Sequence, residues 1–231
     1  MTNGTRFNGD QKEGVWLLHG AEGRLRDFLV PLVPPWLETY HLTLSTVLWS
    51  GLIIVFGWLS AHHGMDWLWG TSVCIVLQYI TDLLDGSIGR SRNTGLIKWG
   101  FYMDHFLDYF FLCAILIGYG FLLPDDQKYI LFFVQALLGG YMVQSFLSFA
   151  ATNTFKIAHM RIGPTEIRIL FILINTLLII FGKTYLAAAL PYALGFSTLG
   201  LCLVVYDIQK IIWELDMENK RRAEAPPAKQ A

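Results

Sequence analysis

Long blocks of apolar residues, separated by short polar stretches, make up most of the chain. A helix rises about 1.5 Å per residue, so about 20 apolar residues cross the roughly 30 Å hydrocarbon layer of a bilayer. Six blocks qualify, the fifth beginning near Pro164 and the sixth broken or bent near Pro191: residues 42–61, 65–84, 101–123, 130–150, 169–181 and 186–212. The pattern predicts an all-α integral membrane protein with six transmembrane helices.

The segment before the first block, residues 15–41, mixes apolar, aromatic and charged side chains. Its prolines rule out one long straight helix, because proline lacks an amide hydrogen and clashes with the preceding turn. Its tryptophans and tyrosine are residue types typical of the interface between membrane and water. We interpret the segment as an amphipathic stretch on the membrane surface. An ordinary solvated linker is the alternative.

Charged residues make up only 15% of the chain, which is low for a globular protein and agrees with lipid as the surrounding solvent. Six spans place both termini on one side of the membrane. Of the 17 lysines and arginines, all but Lys128 and Lys183 fall on that side. Because basic residues favour the cytoplasmic side, we expect both termini and both basic connectors to face the cytoplasm.

Four aspartates lie in or beside apolar sequence around the first basic connector. Asp82 and Asp85 are three residues apart, and Asp104 and Asp108 are four apart, so each pair shares a helix face. Carboxylates inside spans are costly and point to function. Magnesium and manganese are hard cations that prefer oxygen ligands. The spacing predicts a site for Mg²⁺ or Mn²⁺, and two ions there would neutralise a bound diphosphate.

The connector between the two pairs adds groups that suit a phosphate ligand. Arg90 and Arg92 supply guanidiniums, which bind phosphate oxygens well. Gly86 and Gly89 allow a ligand to approach the backbone closely. The alternative is structural: the aspartates cap helix ends and pair with the nearby arginines.

These residues carry a family resemblance. The chain resembles the CDP-alcohol phosphatidyltransferases, also called CDP-alcohol phosphotransferases, whose motif is D-x2-D-G-x2-A-R-x8-G-x3-D-x3-D. The motif is filled in order by Asp82, Asp85, Gly86, Arg90, Gly100, Asp104 and Asp108. Gly89 replaces the usual alanine, and the spacer after Arg90 has nine residues, 91–99, instead of eight. With the six-span layout, the resemblance covers about residues 42–212.

The resemblance implies a metal-dependent enzyme of phospholipid biosynthesis. It would move a substituted phosphate from a CDP-linked alcohol to an acceptor hydroxyl and release CMP. Carried over by position, all four aspartates are implied metal ligands, and Asp108 is also the implied base for the attacking hydroxyl. The implied CDP contacts are Asp82, Gly86 and Arg90. The implied partners are the two substrates, membrane lipid and a second copy in a homodimer; no nucleic acid is expected.

Three further residues are candidates. His105 follows the third aspartate directly, as in the Asp-His pair of eukaryotic choline and ethanolamine phosphotransferases, and imidazole is a good general base near neutral pH. A structural histidine is the alternative. Arg161 and Arg168, in the second basic connector, are candidates for binding the phosphate of an acceptor or headgroup. The alternative is that this connector is a helix start whose basic residues only follow the orientation rule.

Two other functions compete with the transferase: a cation transporter or channel lined by the aspartates, and a non-catalytic membrane scaffold of the same family. The sequence leaves open which alcohol is activated and which accepts. We expect residues 1–41 to form a tail and an amphipathic segment, 42–213 a six-helix catalytic domain, and 214–231 a flexible cytoplasmic tail. The cysteines, all within apolar segments, are interpreted as core residues.

Overall fold

A computed structural model describes residues 18–152, 163–182 and 184–224, and the backbone of 12–13 and 155–156. The described helices are α1 His19–Leu29, α2 Thr39–His63, α3 Leu68–Ser91, α4 Ile97–Gly120, α5 Tyr129–Thr152, α6 Pro164–Phe181 and α7 Thr184–Glu224. Short 3-10 turns follow α1 and precede α3. Two-residue strands, β1 Lys12–Glu13 and β2 Phe155–Lys156, pair in parallel.

Six of the described helices are long and apolar enough to cross a membrane. They are α2, α3 with its preceding 3-10 turn, α4, α5, α6 and the part of α7 from Ala188 to Glu224. The predicted all-α membrane fold with six spans is therefore confirmed.

The end of α3 differs from the sequence prediction. The sequence predicted that the second span ends at residue 84 and the third begins at residue 101, but α3 continues to Ser91 and α4 already begins at Ile97. The apolar pattern fades earlier because the last two turns of α3 carry polar side chains. Arg92 closes the helix with its backbone N–H on the Ile88 carbonyl, and Gly95 takes the positive φ of 73° that the short turn requires.

The last helix also differs from its prediction. A break or a bend was expected near Pro191; the helix is not interrupted there, because α7 runs as one helix of 41 residues through that proline. Proline is tolerated within membrane helices. A flexible tail was expected from residue 214, yet the helix continues to Glu224. An ion pair one turn apart, Arg222 to Glu218 at 2.5 Å, supports this end. Residues 225–231 lie outside the described part.

The centre of the bundle is formed by α2, α3 and α4, and α6 packs on α3. The buried face of α2 consists largely of small and hydroxylated residues: Thr39, Thr43, Thr46, Ser50, Gly57 and Ser60. Small residues let membrane helices approach closely. A close crossing joins Gly57 of α2 to Gly118 of α4. This approach brings the site-bearing helices α3 and α4 together around α2.

The Gly57 crossing yields a stability prediction. A Cβ at position 57 would lie 2.5 Å from the Cα of Gly118, and backbone gives way poorly. We therefore expect Gly57→Ala to lower the free energy of unfolding by about 1–3 kcal/mol. Gly51→Ala is the matched control on the same helix, because nothing lies within 4 Å of its added Cβ. Thermal unfolding in detergent tests this, and equal melting temperatures for the two variants would contradict it.

A buried polar network fixes α6 against α3 and α4. The Tyr119 hydroxyl donates to Asn175 Oδ1 at 2.8 Å, and Asn175 Nδ2 donates to Ser72 Oγ at 3.1 Å. Hydrogen bonds across helices help hold membrane bundles together. The network matters to the site because α6 carries Arg168.

The segment before α2 is anchored to the bundle. The backbone N–H of Leu18 donates to Glu166 Oε1 at 3.2 Å, and Thr165 donates to Glu22 of α1. Phe28 is exposed, as are Leu32 and Trp36 beyond it. An exposed apolar side suits a membrane surface, and that placement of the segment stays a prediction.

Arg92 has a role that the sequence did not indicate. Its guanidinium, interpreted above as phosphate-binding, donates to backbone carbonyls of the segment before α2. The acceptors are Val33, Pro34, Pro35 and Leu37, at distances from 2.7 to 3.2 Å. Arg92 therefore holds this segment against the end of α3.

Candidate functional site

Three carboxylates converge where the second half of α3 faces the first half of α4. Asp82 comes from α3, and Asp104 and Asp108 come from α4. Each residue offers one carboxylate oxygen, and these three oxygens all lie within 4.8 Å of one another. All three residues are partly buried. Ionised carboxylates at this spacing are the ligand set that Mg²⁺ and Mn²⁺ prefer. The donor chemistry therefore fits a divalent cation.

The fourth aspartate lies outside this group. Asp85 is 6% exposed and accepts a hydrogen bond from Thr43 Oγ1 of α2 at 2.9 Å, and another from the Gly86 backbone N–H. Residues three apart on a helix differ by about 60° around its axis. That rotation is enough to turn Asp85 toward α2 while Asp82 faces α4. Hydrogen bonds to a buried carboxylate stabilise its charge.

A buried arginine stands against the carboxylates. Arg168 of α6 is 6% exposed, and its Nη2 donates to Asp82 Oδ2 at 3.0 Å and to Asp108 Oδ1 at 3.2 Å. Its Nε donates to Gln78 Oε1 at 2.8 Å. Several anions in poor dielectric need a counter-charge, and Arg168 supplies one. The sequence suggested Arg168 for an acceptor phosphate; its partners here are proposed metal ligands.

Gln78 and Thr43 were missed by the sequence reasoning. Gln78 is fully buried, one turn before Asp82 on α3, and its Nε2 lies 3.5 Å from Asp108 Oδ1. A polar amide in the apolar run before Asp82 was a usable signal. Nothing in the sequence connects Thr43 with Asp85, because their contact depends on how α2 packs on α3.

His105 lies beside the third aspartate. Its Nδ1 is 3.5 Å from Asp104 Oδ2, and its side chain is mostly buried. The ring packs against Phe101 and Phe146, with centroids 4.5 and 5.5 Å away. Two aromatic contacts fix the plane of the imidazole next to a candidate metal ligand.

The other motif residues lie on the last turns of α3. Arg90 is exposed, and its Nη2 is 3.4 Å from Ser87 Oγ. A Cβ at Gly86 would lie 3.3 Å from Arg90 Nη1, so a larger side chain there would crowd the guanidinium. A Cβ at Gly89 would lie 3.1 Å from Thr39 Oγ1, which explains why glycine suits this position. Arg161, the other predicted phosphate contact, lies outside the described residues.

The comparisons with known proteins agree with the motif. The family model described as CDP-alcohol phosphatidyltransferase matches residues 41–201. The matched range holds α2 to α6, the first part of α7 and the three clustered carboxylates. Neither the curated proteins nor the solved structures that were searched gave a match.

Proposed function

Because the chain belongs to the CDP-alcohol phosphatidyltransferase family, we propose that it transfers a substituted phosphate from a CDP-linked alcohol to an acceptor hydroxyl and releases CMP. Transferases of this family make phospholipids from CDP-alcohol and lipid substrates. The observation that carries the proposal is the convergence of Asp82, Asp104 and Asp108 within 4.8 Å between α3 and α4. That arrangement supports the binding of divalent cations, which would neutralise a diphosphate substrate.

Mg²⁺ or Mn²⁺ would be held by Asp82, Asp104 and Asp108. Bound there, the cations would offset the charge of the diphosphate and of the transition state. Asp85 remains our proposed fourth ligand, for a second ion. To serve, its carboxylate must turn away from Thr43, with which it is hydrogen-bonded in this structure.

The chain's own groups supply the remaining steps. Gly86 and Arg90, with Asp82, contact the CDP group, and the Arg90 guanidinium binds phosphate oxygens. The acceptor hydroxyl attacks the β phosphorus, the bond from that phosphorus to the bridging oxygen breaks, and CMP leaves. Asp108 accepts the proton of the hydroxyl. Arg168 and Gln78, both close to Asp108 Oδ1, orient that carboxylate.

His105 is assigned a positioning role. Its Nδ1 faces Asp104, while Phe101 and Phe146 hold the ring. We expect His105→Asn to lower turnover about 10-fold, because a misplaced ligand costs rate without removing the base. The pH profile of turnover should keep its shape. If turnover of the variant no longer changes with pH near neutrality, and falls far more than about 10-fold, His105 is the base instead.

The acceptor side involves Arg161 and Arg168. Arg168 is engaged by Asp82 and Asp108 in this structure. Arg168 therefore contacts a phosphate only when bound cations have replaced it as the partner of those carboxylates. Acceptor affinity of the Arg161→Ala/Arg168→Ala pair tests this role, and an unchanged affinity would exclude it.

Membrane orientation and assembly complete the proposal. The basic residues favour a site and both termini in the cytoplasm, within a catalytic domain of residues 42–213. A homodimer is proposed from the family resemblance, and cross-linking in detergent that yields only monomer would contradict it. A cation transporter stays the alternative function, because transporter sites lie near the midplane and Asp82 and Asp108 lie near the middle of α3 and α4. Metal-dependent CMP release, expected only of the enzyme, distinguishes the two.

The test measures CMP release by purified protein in lipid micelles with Mg²⁺ or Mn²⁺. One reaction holds CDP-diacylglycerol and a mixture of polar alcohols. The other holds diacylglycerol with CDP-choline and CDP-ethanolamine. We expect metal-dependent CMP from one of them, which fixes the direction of transfer. No CMP from either reaction, with no thermal stabilisation by CDP, would contradict the proposed function.

A further inference from the structure

An open cavity of about 720 Å³, a groove in the protein surface and not an enclosed pocket, lies between α1 and the end of α3. One wall comes from α1 and the turn after it, and the other from the last turns of α3. The lining residues are Arg26, Asp27, Val30, Pro31, Ser87, Arg90 and Ser91.

The polar lining suits a phosphoryl group. Arg26 and Arg90 bring two guanidiniums, and Ser87 and Ser91 bring two hydroxyls. Guanidiniums bind phosphate through short charge-assisted hydrogen bonds. In the described part of the chain, Arg90 makes no ion pair and contacts Ser87 Oγ at 3.4 Å. Its guanidinium is therefore available to an anion.

The second guanidinium is held by its neighbour. Arg26 Nε donates to Asp27 Oδ1 at 2.9 Å, and Nη2 lies 2.8 Å from the same oxygen. Asp27 fixes the plane of the guanidinium and leaves the lining with a net positive charge, since Arg90 is its other charged member.

The position of Arg26 is set by the fold. Glu22, one turn earlier on α1, accepts a hydrogen bond from Thr165 of α6, and the Leu18 N–H is bonded to Glu166. These contacts hold α1 against the start of α6, beside the end of α3.

We propose that Arg26 and Arg90 together bind a phosphoryl group in this cavity. The group belongs to the CDP-linked donor or to the headgroup of an anionic phospholipid, since both present the same oxygens. Arg26 lies outside the range matched by the family, residues 41–201. The inference rests on the proposed function in one respect, the role of Arg90 as a CDP contact.

The experiment compares Arg26→Gln with Arg24→Gln in the full chain. Arg24 lies on the same helix, is bonded to the Gly20 carbonyl at 3.4 Å, and does not line the cavity. Binding of CDP is measured by calorimetry in neutral detergent. In the second arm, the protein is placed in nanodiscs of phosphatidylcholine, with or without one-fifth phosphatidylglycerol. The melting temperatures of the two preparations show whether the anionic lipid stabilises the protein.

Arg26→Gln should weaken CDP binding about tenfold, or abolish the stabilisation by phosphatidylglycerol, because one charge-assisted hydrogen bond is lost. The arm that responds identifies the source of the phosphoryl group. Arg26→Gln that behaves like Arg24→Gln in both arms, or wild type that responds to neither ligand, would overturn the proposal. CMP release by the wild-type protein is measured in parallel, so that failure of this inference can be distinguished from failure of the proposed function. If Arg26→Gln loses ligand binding while the wild-type protein releases no CMP, only the proposed function is contradicted.

Discussion

Replacing Asp108 with Asn is expected to lower the rate of CMP release about a thousandfold or more. The asparagine keeps the shape of the side chain but removes one anionic ligand from a group of three. It also removes the proposed base for the acceptor hydroxyl. Because both losses act on the transition state, the fall should appear in turnover and not only in substrate affinity.

Asp125→Asn is the matched control for this loss. Asp125 lies in the turn between α4 and α5, where its carboxylate is bonded to Lys128 at 2.6 Å. The Lys128 ammonium lowers the pKa of Asp125, so this carboxyl is ionised at neutral pH. Removing its charge should leave turnover within about twofold, since surface pairs contribute little. Equal rates for Asp108→Asn and Asp125→Asn would refute the assignment of Asp108.

Arg168→Gln is expected to lower the free energy of unfolding by about 3 kcal/mol when divalent cations are absent. The buried guanidinium faces Asp82 and Asp108, and without it two carboxylates keep their negative charges close together. Cations that bind the same oxygens should supply the missing positive charge. The deficit measured in EDTA should therefore shrink when Mg²⁺ or Mn²⁺ is added.

Two further variants separate charge from packing. Arg168→Lys keeps the charge and should lose less stability than Arg168→Gln. Adding Asp82→Asn to Arg168→Gln removes one of the repelling carboxylates, so it should recover part of the loss. Thermal unfolding in detergent, with EDTA and then with Mg²⁺, measures all four proteins. A deficit for Arg168→Gln that is unchanged by cations and by Asp82→Asn would show that Arg168 only fills space.

The helices and the site differ in how far the sequence predicted them. Long apolar runs predicted the six spans, and the motif spacing placed Asp82 on α3 and both Asp104 and Asp108 on α4. These features are local, since they follow from helix periodicity alone. The extension of α3 to Ser91 was missed because polar side chains on its last turns resemble a connector.

Other features depend on tertiary packing, which one sequence does not reveal. Asp85 turns to Thr43 because α2 crosses α3 at that level, and Arg168 reaches the carboxylates because α6 packs on α3. Both contacts join residues far apart in the chain. The sequence marked Arg168 as a candidate phosphate contact in the second basic connector, but it did not indicate that its partners are Asp82 and Asp108.

The most direct test of a metal-dependent transferase is CMP release with and without divalent cations. Wild-type protein would be assayed in lipid micelles with the donor and acceptor that support turnover, first in EDTA and then in excess Mg²⁺ or Mn²⁺. We expect no CMP above background in EDTA and full recovery with added cation, but no recovery in Asp108→Asn. The same rate of CMP release in EDTA as in Mg²⁺ would contradict a cation site at Asp82, Asp104 and Asp108.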